Sequence, residues 1–128
     1  MSEEEVKETV RTDPVIDGFG KLSGHPDQAQ VDQWKNLYGE VHLLGLDETT
    51  MYIFRPIRRL EYKGMVQNSQ DEAAFQEQII QKCVLWPKFS PEMLAGCKGG
   101  DIEALFTAIM ECSNFLQPQV VLSLVRKL

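Results

Sequence analysis

Large apolar residues in the middle of the chain fall in two short runs, 40–46 and 49–55, rich in Val, Leu, Ile, Thr and aromatics. In the second, Met51 and Ile53 alternate with Tyr52 and Phe54, the period of a half-buried strand. The polar Asp47-Glu48 between the runs predicts a β-hairpin. Asp-Glu suits a type I′ turn poorly, so a loop of three or four residues is an equal expectation. Past Pro56 the period becomes helical and stays so. A short basic helix is expected over 56–66, with Leu60 and Gly64 behind its charged face. Ser69-Gln70-Asp71-Glu72 has the form of a capping box, with Ser69 as cap, for a helix carrying Phe75, Ile79, Ile80, Cys83 and Val84 and stopped by Pro87. Ser90-Pro91-Glu92 opens a short helix, Asp101 caps the next, and Pro118 opens a last one bearing Val121, Leu124, Val125 and Leu128.

Ahead of the hairpin, Pro26 is read as the first residue of a helix with Val31, Trp34 and Leu37 as its stripe and Gly39 as its stop. Residues 13–24 hold Val15, Ile16, Phe19 and Leu22 among three glycines and a proline, an arm whose apolar residues should dock on protein. The expected fold class is therefore α+β: a mostly helical single domain over 25–128, with one β-hairpin packed on four to five helices, and an extended N-terminal arm over 1–24. Phe75, Ile79, Val84, Leu105, Phe106, Ile109 and Val121 are the expected core. An isolated hairpin must lie on helices, and its outer edge is expected to stay open to a strand from another chain.

A length of 128 residues supports one core, and 43% hydrophobic with 25% charged residues are globular values. No apolar run reaches membrane-span length, and the start Met-Ser-Glu-Glu-Glu lacks secretory character, so a cytoplasmic protein without a membrane partner is expected. Cys83, Cys97 and Cys112 are spaced for neither a redox pair nor a zinc site and are read as reduced residues in or near a helical core. Charge is uneven. Residues 1–50 carry four Lys/Arg against eleven Asp/Glu, whereas 51–66 carry four against one. The overall charge of −6 argues against nucleic acid as a partner.

Chemistry finds no foothold in the sequence. The acidic pairs Asp71-Glu72 and Asp101/Glu103 fall at helix starts, where the macrodipole favours negative charge for structural reasons. His25 and His42 have no Asp, Glu or Cys at metal-ligand spacing. No nucleophile elbow, phosphate loop or zinc-protease motif occurs, so neither catalysis nor a cofactor or metal is expected. The candidates that remain are contacts to a partner protein. Arg58, Arg59 and Lys63 form the basic face. Arg55, at the strand end, is read either as an ion pair with Glu61 or another acid or as a partner contact. Phe19, Tyr52 and Trp86 are added as aromatic anchors, Trp86 having core packing as its alternative.

Four motifs in order carry a resemblance. They are R-P-I-x-R-x-E-Y (Arg55, Pro56, Ile57, Arg59, Glu61, Tyr62), C-V-L-W-P (Cys83 to Pro87), Ala95-Gly96, and L-x-x-x-I-x-x-x-S-x-F (Leu105, Ile109, Ser113, Phe115). Over residues 50–116 the chain resembles the small tail-assembly proteins of tailed bacteriophages, which include chaperones of the tape-measure protein and small baseplate and tail components. Such proteins have Ser-Gly-Phe where this chain has Ser113-Asn114-Phe115. Asn tolerates the left-handed conformation that Gly would supply. The resemblance implies a non-enzymatic tail-assembly chaperone in the host cytoplasm, binding tape-measure, baseplate or tail-tube proteins, with self-association as a further expectation. Its alternative is a structural part of the mature virion. A third reading, of another class, is a small anion-binding enzyme or regulator using the face from Arg55 to Lys63.

Overall fold

The computed structural model describes residues 24–128, so Phe19 and the rest of the expected docking arm lie outside the described residues. The fold is α+β. Among the described residues, six helices and three strands follow in the order α1 (Gln28–Tyr38), β1 (His42–Asp47), β2 (Thr50–Phe54), α2 (Arg59–Asn68), α3 (Glu72–Cys83), β3 (Val84–Trp86), α4 (Pro91–Gly96), α5 (Gly99–Cys112) and α6 (Pro118–Leu124). They divide into two compact units. One comprises the chain up to Arg55 together with Leu85–Pro87; the other comprises Pro56–Val84 and Lys88–Leu128.

In the first unit, α1 starts one residue after Asp27, whose carboxylate accepts the Gln30 N–H at 2.9 Å. Pro26 therefore precedes the cap instead of occupying the first turn. The helix stops at Gly39, whose N–H still bonds the Lys35 carbonyl at 2.8 Å while its φ of 88° turns the chain out of the helix. Val31 is buried, and Trp34 and Tyr38 pack beside it, at the spacing of one helix face. Leu37, expected on that stripe, is 62% exposed because six residues from Val31 falls well round the helix.

The hairpin is present with its turn moved by one residue. Asp47 still pairs with Thr50, and Glu48-Thr49 make the two-residue connection. Asp47 nucleates it: its carboxylate accepts the Thr49 N–H at 2.8 Å and hydroxyl at 3.0 Å, bonds that hold its pKa below the usual carboxylate value. Register slips between Gly45 and Asp47, leaving Leu46 as a bulge. A third strand is the larger departure from expectation. Cys83 ends α3, and Val84–Trp86, read as the tail of that helix, is β3, in the sheet order β1-β2-β3. The second hairpin strand is thus central, and among the described residues β1 has a strand on one side only. Ile53 packs with Val31 and Leu85 on one face, while Tyr52 and Phe54 on the other face are buried as well.

In the second unit, α3 and α5 pack against each other, and α2 lies against α3. Ile79, Ile80, Cys83, Leu105 and Ile109 are fully buried, and Val84 nearly so. Phe75 and Phe106, expected at the centre of the core, sit half-buried at its rim. Val121, expected in the core, is exposed, as are its neighbours on α6. Three helix starts also differ. The second helix begins at Arg59 because Arg58 keeps an extended backbone and its N–H is held by the Glu61 carboxylate at 3.0 Å; the Ile57 N–H bonds the Ser113 hydroxyl at 2.8 Å. Ser69 closes that same helix, donating to the Met65 carbonyl at 2.6 Å, and Asp71 caps α3 by accepting the Ala74 N–H at 2.8 Å. Lys98, not Asp101, flanks α5, leaving Asp101 in its first turn. Ser90 caps α4 as expected. Cys83 is buried, Cys97 and Cys112 are half-buried, and none of the three forms a disulfide.

Candidate functional site

The most accessible chemistry lies on α2. No residue of this helix is fully buried. It is held in place at its start, where the Arg58 N–H donates to the Glu61 carboxylate at 3.0 Å and the Tyr62 N–H to the Arg58 carbonyl at 2.9 Å. Residues four apart on a helix lie one above the other. Arg59 and Lys63 therefore form one exposed row, and Tyr62 and Val66 form the next. Leu60 is 81% exposed beside them.

Tyr62 is the centre of this surface. Its ring meets Phe75 edge-on at 5.7 Å and Phe115 at 4.7 Å, and Phe75 meets Phe106 at 6.0 Å. Such tilted and edge-on contacts between rings contribute beyond the area they bury. The Arg59 guanidinium stands 5.9 Å from the Tyr62 ring centre, within cation–π range. Two hollows share Tyr62 and Val66. The larger, about 390 Å³, is floored by Phe75 and Phe106 and edged by Ser69, Asp71 and Glu72. The smaller, about 240 Å³, is edged by Arg59, Lys63 and Gln67. An apolar ridge thus has a basic side and an acidic side, an arrangement suited to an amphipathic protein segment.

Of the residues singled out from the sequence, Arg58, Arg59 and Lys63 come together here and are exposed. Arg55 does not join them. It is 5% exposed and belongs to the other unit, its guanidinium 4.8 Å from the Tyr38 ring centre. Tyr52 is buried as well. Trp86 packs against the Val31, Ile53 and Leu85 cluster and lines a shallow hollow with Gly24, Pro26, Asp27, Gln30 and Trp34. The sequence reading missed Leu60, Tyr62 and Val66 as surface and the acidic edge of the larger hollow. One signal was available: Leu60 lies well round the helix from Tyr62 and Val66, so the three cannot all face the same core.

Among the described residues, no group of three His, Cys, Asp or Glu side chains is placed to hold a metal ion. The His42 ring, stacked on Phe54, has the Glu40 carboxylate 2.6 Å from its Nε2, a local pairing two residues apart that the spacing argument overlooked. Burial, with Asp101 nearby, pushes the Cys97 thiol pKa up, which makes it a poorer nucleophile. No helix among the described residues is long and apolar enough to cross a membrane. In comparisons with known proteins, no family model, no curated protein and no solved structure matches this chain.

Proposed function

We propose that this chain is a non-enzymatic, protein-binding component of tailed-bacteriophage morphogenesis, a tail-assembly chaperone that holds a tape-measure, baseplate or tail-tube protein before tail polymerisation. The observation that carries the reading is the α2 ridge, where Leu60, Tyr62 and Val66 stand beside Arg59 and Lys63. A helix or loop with apolar anchors and acidic flanks fits that side. Cations at such a rim steer encounter and set register more than they add affinity. The family resemblance adds the tail-protein identity of the client. The hydrogen bond from Ile57 to Ser113 joins two of its motifs and gives them a folding role independent of the client.

The test is co-expression of the chain with tail proteins of its phage, followed by co-purification at low and high salt. Arg59→Glu with Lys63→Glu should leave thermal unfolding nearly unchanged, because exposed charges contribute about 0–1 kcal/mol each. The same double reversal should release the tail protein, as raised salt does for the unaltered chain. Normal co-purification of the reversed chain sinks the reading. The exposed apolar helix α6 favours a second reading, permanent incorporation into the tail. Abundant peptides of this chain in the mass spectrum of purified particles would establish it over a purely transient chaperone.

A further inference from the structure

We propose that two copies of this chain pair by exchanging α6, each copy seating that helix in the acidic hollow of the other. The apolar side chains of this helix stand open to solvent. Val120, Val121, Leu122 and Leu124 are between 45% and 72% exposed, and Val125 just beyond it is 68% exposed. Within the helix, Val120 and Val121 lie four and three residues before Leu124, the spacing of a helix face made to be covered. An apolar helix of two turns does not hold itself together in water and draws its stability from what it packs on.

The complementary surface is on the same chain. The hollow floored by Tyr62, Val66, Phe75 and Phe106 is apolar, and its edge carries the exposed carboxylates Asp71 and Glu72. Arg126 and Lys127 directly follow α6, both exposed, and are the only cations after Lys98. Apolar floor meets apolar stripe, and the carboxylate edge meets the cation pair. The charge match selects this hollow over the smaller one, whose edge of Arg59 and Lys63 would repel the same pair.

A second copy is the occupant that answers both halves together. An unrelated helix in the hollow would leave α6 uncovered, and an unrelated groove around α6 would leave the hollow empty. A twofold pairing buries both surfaces twice with one contact type. The connection permits it. Asn114, at φ 69°, turns the chain sharply out of α5, and Phe115 rests on Tyr62 at the edge of the hollow. Each α6 therefore departs from beside its own hollow, which a swap between neighbouring copies requires. This inference does not depend on the identity of any tail protein.

Sedimentation equilibrium of the full chain at micromolar concentration tests it. The unaltered protein should be a dimer. Leu124→Asp should make it monomeric without lowering its thermal midpoint in the dilute, monomeric range, since the residue is exposed. Two charge variants then locate the contact. One carries Arg126→Glu and Lys127→Glu. The other carries Glu72→Lys with Asp71→Asn, an exchange that keeps a good helix cap for α3. Each variant alone should be monomeric, and an equimolar mixture should form a heterodimer, because both exchanged contacts are again attractive. A monomeric unaltered protein, a dimer that survives Leu124→Asp, or a mixture that stays monomeric would each overturn the proposal. Tail-protein capture is scored separately, so a monomer that still holds its client overturns the exchange and leaves the chaperone reading standing.

Discussion

Ser113 bonds in two directions at once. Its hydroxyl donates to the Ile109 carbonyl at 2.6 Å and accepts the Ile57 N–H at 2.8 Å, tying the end of α5 to the segment that leads into α2. The side chain one turn back, Ile109, is fully buried against the α3 face formed by Ile79, Ile80 and Cys83. A residue in that position loses both transfer energy and packing when shortened. Ile109→Ala should cost about 2–5 kcal/mol, the usual range for such core truncations. Val121→Ala is the control: measured on dilute protein, it should change stability by less than about 0.5 kcal/mol, as surface substitutions do. Chemical denaturation of the two variants checks both. Equal losses would mean that α6 packs on its own chain.

At the scale of elements, the helical stretches and the hairpin could be read from spacing, because each has its own period and its own stop. Gly39 and Asn114 show how far that reading extends. Both take positive φ at helix ends, and Asn114 was expected to from the motif alone. Asn114→Gly should therefore be nearly neutral. Asn114→Val should cost about 1–2 kcal/mol, since a β-branched side chain clashes in the left-handed region. Thermal unfolding of the pair measures the difference, and equal stability would show that the turn relaxes elsewhere. Other features had no local signal. Val84–Trp86 is too short to show a period of its own, and its strand character depends on β2 as a neighbour. Cap residues were misplaced by two positions where Ser69 and Asp71 competed and by three where the helix starts at Gly99, ahead of Asp101. The basic face of α2 was legible as charge. Its aromatic floor was not, because Phe75 and Phe106 keep core spacing whether they sit at the centre or the rim.

At the scale of the whole molecule, the two compact units are interleaved in sequence. The first takes Leu85–Pro87 from the middle of the second, so neither is a continuous piece of chain. Leu85 is one of three buried residues at the centre of the first unit's cluster, with Val31 and Ile53, and Trp86 packs on the same cluster. A fragment covering 24–55 has α1 and the hairpin but lacks that third strand and its apolar side chains. A two-stranded hairpin on one short helix cannot bury enough surface to offset the entropy of ordering it. The fragment should show no cooperative thermal transition by circular dichroism, whereas residues 24–128 should unfold in one. A sharp transition in the fragment alone would show that Leu85 and Trp86 are dispensable. The hairpin would then be stable on α1 before α2 and α3 are made, and folding of that part would not need the chain to return from the second unit.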